Sequence, residues 1–355
     1  MTKTLLLRHV FTLLICLLIH PALGADLSAL QTALEKPGRH QLSLSIGDVD
    51  QQANIPITAI VGAQSGPTLL VLSGIHGSEY SPIVASQRLA TTLEPEIISG
   101  KIIFVHIANM SAYLGRTVYT SPADGKNLNR LFPGNPSGTL SARIAFLLTD
   151  QLYPLADAVL DMHSGDGNED LNPIWVGYYA QAGNPDVIAR SKALAMAFGF
   201  EHIVAFQWEL TDRADAIWAG SAAVALGIPS IDVEAGGKNV VDADAVASIT
   251  AGVRRTLAHL GMTTEVFAPL QQQKMIHDRS WISAPQSGSW IALKQAGDRV
   301  KQDELLGYLT DFHGRKVFEA RAPKDGLLLL IVTAPPIQKG ETVAIVARTQ
   351  QVVAR

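Results

Sequence analysis

The sequence predicts an α/β protein built on a doubly wound, mostly parallel sheet, followed by a small C-terminal all-β barrel-like domain. Three features lead there. Between about residues 65 and 260, short runs rich in Val, Ile and Leu alternate with longer stretches whose apolar residues recur at three-and-four spacing, the pattern of strands alternating with helices. From about residue 268 the texture changes to short strands broken by Pro- and Gly-containing turns. At 355 residues, 47% hydrophobic and 17% charged, the chain can bury a large core in more than one domain.

The first 24 residues stand apart. Lys3 and Arg8 make a basic start, residues 10–19 an apolar run short for a bilayer span, and Ala22 and Gly24 the small residues of a cleavage site before Ala25. This predicts a signal peptide and an exported product, periplasmic or secreted, with no membrane anchor after cleavage. Cys16, the single cysteine, lies inside that segment and follows Ile15 where a lipoprotein site wants a small residue. The mature chain is therefore expected to have neither a disulfide nor a thiol nucleophile. Losing Lys3 and Arg8 takes the net charge from −4 to −6, which argues against nucleic acid or an anionic membrane surface as the main partner.

Residues 40–46 and 54–61 alternate polar and apolar and read as an entry pair of strands. Further strands are expected at 69–72, 101–108, 158–162, 174–179, 202–206 and 230–233, rich in β-formers. Helices are expected at 82–92, 141–153, 185–198, 213–226 and 243–260, with Ser141, Asn184 and Asp242 as N-caps. Residues 109–138 show no periodicity, and a loop of that length in a compact domain is usually functional. A domain boundary is placed after residue 267, giving a catalytic domain at 25–267 and a β-rich domain at 268–355. In the latter, Ala284-Pro285-Gln286-Ser287-Gly288 and Ala322-Pro323-Lys324-Asp325-Gly326 suggest a pseudo-repeat.

The chemistry begins at Ser73-Gly74-Ile75-His76-Gly77-Ser78-Glu79, directly after the apolar run 68–72 and before an expected helix. Ligands of open α/β sheets bind at that carboxyl edge, and a spacing of three lets the His76 imidazole and the Glu79 carboxylate converge on one ion. A second strand, 158–160, opens into Asp161-Met162-His163 on the same edge. His76, Glu79 and His163 then form a three-ligand set that leaves a fourth position for water, the composition of a catalytic zinc site; Asp161 would orient a ligand imidazole from behind. A third strand ends in Asp232-Val233-Glu234. Glu234 is the expected general base, taking a proton from water and returning it to the leaving amine. Asp232 is placed on the opposite face and read as structural. In the long loop, Asn129 and Arg130 are candidate anchors for a substrate carboxylate, because a guanidinium pairs with it bidentately. Arg116 is the candidate for stabilising the oxyanion formed as water attacks the carbonyl.

With these residues in view, the chain resembles the succinylglutamate desuccinylase and aspartoacylase family of zinc hydrolases, within the wider zinc carboxypeptidase fold. Four motifs in the family's order carry the likeness: Gly74-Ile75-His76-Gly77-Ser78-Glu79, Asp161-Met162-His163, Asn127-Leu128-Asn129-Arg130-Leu131-Phe132-Pro133-Gly134 and Val233-Glu234-Ala235-Gly236. The resemblance implies one zinc ion per chain, held by His76, Glu79 and His163, with Glu234 catalytic. Asn127 departs from the pattern, standing where carboxypeptidase relatives often have Asp. The C-terminal region also resembles biotinyl and lipoyl domains through Gly297-Asp298-Arg299-Val300 and Ala322-Pro323-Lys324-Asp325-Gly326. It lacks the carrier phrase around a tip lysine, so Lys316 reads as a surface residue and the domain as a cover over the approach to the metal. His277 and His313 read as solvated; His40, His106, His202 and His259 receive no role.

The function expected from the sequence is zinc-dependent hydrolysis of an amide, by deacylation of an N-acyl amino acid or another small substrate bearing a free carboxylate. The alternatives are an exported murein peptide amidase or carboxypeptidase and, from another class, a non-catalytic binding protein on a hydrolase scaffold.

Overall fold

The computed structural model describes residues 25–47, 52–182, 184–210, 212–268 and 272–351; the expected leader, residues 1–24, and part of the expected domain boundary lie outside them. The chain opens with helix α1 (Ser28–Leu34) and three strands, β1 (Gly38–Gly47), β2 (Gln52–Val61) and β3 (Gln64–Ser73). Then follow α2 (Tyr80–Thr92), β4 (Ser99–Val105), α3 (Met110–Gly115), α4 (Leu140–Phe146), β5 (Ala158–His163), β6 (Glu169–Leu171) and β7 (Trp175–Gln181). After these come α5 (Pro185–Phe198), β8 (His202–Glu209), α6 (Ala219–Ala225), β9 (Ser230–Glu234) and α7 (Ala243–His259). The C-terminal strands are β10 (Lys274–Ser283), β11 (Gly288–Ala292), β12 (Arg299–Val300), β13 (Leu305–Thr310), β14 (Lys316–Arg321), β15 (Gly326–Val332), β16 (Pro336–Ile337) and β17 (Thr342–Gln351).

The centre of the large sheet is the parallel set β4-β3-β5-β9. Leu69, Leu70, Val71 and Leu72 of β3 are wholly buried, because helices cover both faces and a parallel strand so enclosed must be apolar throughout. Leu70 and Leu72 join α1, α4 and α6 on one side; Leu69 and Val71 join α2, α5 and α7 on the other. Antiparallel strands extend this centre into a mixed sheet: β1 and β2 flank β4, and β7 runs against β9 before continuing in parallel with β8 and β10.

The C-terminal strands do not stand off as an independent layer. β10 pairs with β8, and β17, β15 and β12 carry the same sheet onward, while β6 from the body pairs with β15. A second sheet, β14-β13-β11-β16, packs over them around Trp290, whose indole N–H donates to the Val332 carbonyl at 2.8 Å.

Several local expectations change. Ser141 is not an N-cap: Thr139 occupies that position of α4, and Asp124 from the long loop accepts the Ser141 N–H and hydroxyl at 2.8 and 3.0 Å. The helix expected over 213–226 is a 3₁₀ turn (Arg213–Asp215), capped by Asp212, followed by α6. Asn184 and Asp242 do cap α5 and α7. The aperiodic segment holds α3, capped by Asn109, and a 3₁₀ turn (Leu128–Arg130) capped by Asn127. Both are too short to show a period.

Candidate metal and substrate site

Three strand ends build the site. β3 stops at Ser73, whose hydroxyl donates to the His106 carbonyl at 2.8 Å, and the chain turns through His76 to Glu79, the residue before α2. Gly77 in this turn has no alternative, since a Cβ there would meet the backbone of Ala112 and Tyr113 at 2.1 Å. Glu79 occupies the N-cap position without capping. Its carboxylate turns instead to the two imidazoles, Oε1 lying 2.8 Å from His76 Nδ1 and Oε2 2.9 Å from His163 Nδ1. The ligand atoms of His76, Glu79 and His163 all lie within 4.8 Å of one another.

The far nitrogens of both rings face acceptors. His76 Nε2 lies 3.1 Å from Asn127 Oδ1, and His163 Nε2 lies 3.1 Å from Asp161 Oδ1. At His76 the Asn127 acceptor places the ring proton on Nε2 and leaves Nδ1 as a lone pair, whereas the Asp161 contact of His163 is a charge contact without hydrogen-bond geometry. A bare nitrogen under 3 Å from a carboxylate is tolerable only with positive charge between them, supplied by a proton or by a metal ion. Burial opposes that charge on both rings, yet Glu79 and, for His163, Asp161 hold their pKa values above the ordinary histidine value, well above for His163. Burial would raise Glu79, but His163 and His76 outweigh it and hold the carboxyl below its usual range. The donor set, its geometry and its oriented outer partners fit a divalent ion such as zinc.

β9 lies beside β5 with Asp232 opposite Asp161 and Glu234 opposite His163. Asp232 therefore shares a face with Glu234, contrary to expectation: strand residues two apart point the same way, and the half-buried Asp232 and Glu234 alternate with the buried Ile231 and Val233. Asp232 accepts the Tyr179 hydroxyl at 2.8 Å, and burial with Asp161 nearby pushes its pKa upward. Glu234 Oε2 is buried without a hydrogen-bond partner among the described residues. Burial holds Glu234 well above the ordinary range; His163 pulls it down, and Glu79 and Glu169 push it further up.

The long loop reaches the same edge. Asn129 is buried and its Oδ1 accepts the Ala219 N–H at 2.8 Å, so it ties the loop to α6. Arg130 is exposed; one guanidinium nitrogen donates to the Asn129 carbonyl at 2.7 Å and the group lies 6.0 Å from the Trp218 ring. Arg116 is not brought in: it ends α3 in the left-handed region (φ 53°), is exposed, and among the described residues its side chain pairs with none of His76, Glu79, His163 or Glu234. Tyr119 occupies the inner position instead. Its ring stands edge-on to His76 at 6.5 Å and its hydroxyl lies 2.9 Å from both Asn168 Oδ1 and Glu169 Oε1.

Sequence reading missed Tyr119, Asp166 and Glu169. Asp166 accepts the Tyr119 N–H and the Ser78 hydroxyl, and its own N–H donates to Glu169 at 2.9 Å. Burial raises the pKa of both acids. Their position three and six residues beyond His163 was the available signal. Arg279 on β10, whose pKa burial lowers to about 10 against the opposing charge of Glu234, had no local signal at all.

Known proteins resemble this chain over most of its length. The family described as the succinylglutamate desuccinylase/aspartoacylase catalytic domain matches residues 65–260. The N-alpha-acetyl-L-2,4-diaminobutyric acid deacetylase of Halomonas elongata is 32% identical over 302 residues, 82% of this chain and 85% of that protein. A succinylglutamate desuccinylase/aspartoacylase structure from Rhodobacter sphaeroides superposes with TM-score 0.78 at 27% identity, covering 89% of this chain and 98% of that one. The product-bound ectoine utilization protein EutE (DoeB) from Ruegeria pomeroyi gives TM-score 0.79 at 27% identity over 89% and 97%. The names of the matched family and of the Halomonas deacetylase are those of deacylating hydrolases of amide bonds. By the length of the family match and the identity to the deacetylase, the chain belongs to the succinylglutamate desuccinylase/aspartoacylase family.

Proposed function

We propose that this chain is an exported, zinc-dependent amidohydrolase that removes the acyl group from a small N-acyl amino acid with a free carboxylate. The observation that supports it most is the Glu79 carboxylate set between His76 Nδ1 and His163 Nδ1, with Asn127 at His76 Nε2. One zinc ion per chain would be held by His76, Glu79 and His163, and bound there it would polarise the substrate carbonyl and acidify a water molecule.

The remaining work falls to the chain's own side chains. Glu234, beside His163 on the neighbouring strand and with an unpartnered oxygen, accepts the water proton and passes it to the leaving nitrogen. Burial raises its pKa above the ordinary carboxylate range, the direction in which a carboxylate becomes a better proton acceptor. Arg130, at the exposed edge of the loop, takes the substrate carboxylate, and Asn129 holds that loop against α6. Asn127 keeps the His76 imidazole in one tautomer, and the Asp161 carboxylate sets negative charge 3.1 Å from His163 Nε2. Arg116 has no contact supporting an oxyanion role; it would have to swing in from the surface to serve one.

The test is an assay of metal-replete protein, expressed without residues 1–24, on a panel of N-acyl amino acids, their amides and murein peptides. Turnover confined to acyl amino acids with a free carboxylate is the expected result. Cleavage of murein peptides alone would move the assignment to the cell wall, and binding without turnover of any panel member would overturn hydrolysis.

A further inference from the structure

Arg279 is the one guanidinium of the site that comes from outside the segment matched to the family, since it lies on β10. β10 pairs with β8 through residues Lys274 to Ile276 and with β17 along its length, so Arg279 stands on sheet rather than on a loop. Its guanidinium is held between two aromatic rings, 4.9 Å from Phe206 and 4.8 Å from Trp281. Stacking fixes the plane of a guanidinium and leaves its N–H edge free. Among the described residues that edge makes no hydrogen bond and no ion pair, although five donors are available.

Its place relative to Arg130 follows from ring contacts. Arg130 lies over Trp218, Trp218 stacks near Tyr179 at 6.4 Å, Tyr179 meets Phe206 at 5.1 Å, and Arg279 lies over Phe206. The two guanidiniums thus cap opposite ends of a chain of three rings. The middle of that chain touches the catalytic strands: the Tyr179 hydroxyl donates to Asp232, and Phe206 also packs on Trp175, the register partner of Glu234.

We propose that Arg279 is a specificity-determining residue of the substrate pocket, pairing with an anionic oxygen at the end of the substrate away from Arg130 and disfavouring a cationic group there. This rests on the deacylase reading above, and it goes further by distinguishing this chain from its 32% identical relative, whose named substrate carries an amine on its side chain. The anionic oxygen has two sources, a carboxylate on the amino-acid side chain or one on the acyl group.

The experiment measures binding by calorimetry and kcat/KM in parallel, on the metal-replete mature chain. The side-chain arm compares N-acetyl-glutamate, N-acetyl-glutamine and N-acetyl-2,4-diaminobutyrate. The acyl arm compares N-succinyl-glycine with N-butyryl-glycine. In wild type one arm should show a preference for the carboxylate of roughly 10- to 150-fold, the range of a charge-assisted hydrogen bond, and the diaminobutyrate derivative should bind most weakly. Arg279→Gln should abolish that preference; Arg279→Lys should keep part of it; Arg130→Ala should weaken every ligand alike and leave the ratio standing. Equal binding of charged and neutral partners in both arms by wild type, or an unchanged ratio in Arg279→Gln, overturns the proposal. If Arg279→Gln does not fold, the ratio in Arg279→Lys decides, and an unaltered ratio there counts against it. A binding preference that depends on Arg279 without hydrolysis of any ligand would sink the deacylase reading and leave this one in place.

Discussion

Asn127 Oδ1 does two things at once: it lies 3.1 Å from His76 Nε2 and accepts the Asn129 backbone N–H at 2.9 Å. Because the second contact requires an acceptor, it fixes which way the amide points. His76 Nε2 must then be the donor of the first, and its Nδ1 lone pair is turned to Glu79. The candidate ligand His76 and the turn that carries Arg130 are thereby joined through one oxygen. Removing that oxygen with Asn127→Ala should lower divalent-metal affinity by about 10- to 100-fold, whereas Asn127→Asp should retain it. Chelator competition reads the difference; wild-type affinity in the alanine variant would leave His76 oriented by something else.

The buried ligand set predicts one divalent ion per mature chain, lost in His76→Ala and in His163→Ala. An ion that binds only the folded state stabilises it by about 2.7 kcal/mol at one hundred times its Kd, so chelation should lower the melting temperature of wild type and leave both variants unmoved. Elemental analysis with matched melting curves checks this, and a metal-replete preparation without stoichiometric ion would remove the basis of the mechanism.

Glu234→Gln keeps the shape beside His163 and deletes the proton acceptor. The expected protein is folded and metal-bound, with kcat reduced by about 10² to 10⁴. Activity within a few-fold of wild type would pass the proton role to another group, and Glu169, whose burial also raises its pKa, is the first alternative.

The convergence of His76, His163 and Glu234 was legible because each follows an apolar run, and strand ends in an open α/β sheet bring short motifs to one edge whatever lies between. Asp232 was misread through its period, although a spacing of two from Glu234 already puts both on one face. Arg116 and Tyr119 could not be ranked, because nothing in an aperiodic loop says which side chain turns inward; the left-handed backbone at both, φ 53° and 58°, is a tertiary outcome. Arg279 was beyond reach for a different reason. It comes to lie over Phe206 of β8 because β10 pairs with β8, a contact spanning about seventy residues of sequence that no local pattern encodes.

His106, given no role from sequence, is buried with both ring nitrogens engaged: Nε2 is 2.8 Å from the Thr58 hydroxyl and Nδ1 2.9 Å from that of Ser86, while Phe104 stacks on the ring. Burial lowers its pKa to about 4. An unfolded histidine titrates near 6.5, so between about pH 6.5 and 4 the unfolded chain binds the extra proton and stability must fall as pH falls. Above that window the contribution is fully present. His106→Gln should flatten the decline between pH 7 and 4.5 by about 3 kcal/mol at most, from a shift of about two units over that range. Denaturant unfolding at the two pH values measures it; an unchanged slope would place the acid sensitivity elsewhere.

The requirement for a free substrate carboxylate is tested most sharply at Arg130. Its guanidinium spends one nitrogen on the Asn129 carbonyl and lies over Trp218 at the exposed side of the site, which leaves the rest of its fork for a ligand. A carboxylate arriving there would pair with the free part of that fork. A charge-assisted contact of this kind contributes about 1.5 to 3 kcal/mol, or roughly 10- to 150-fold in kcat/KM when fully formed. Blocking the carboxylate as an amide should cost wild type that factor. In Arg130→Ala the free and blocked substrates should become nearly equal, because the partner that told them apart is gone. Arg130→Lys keeps the charge, loses the planar fork and the stacking on Trp218, and should fall between. The cycle of two substrates against three proteins isolates the coupling. If blocking is as damaging in Arg130→Ala as in wild type, the carboxylate is read elsewhere in the pocket, and the loop from Asn127 to Arg130 serves the metal ligand His76 alone.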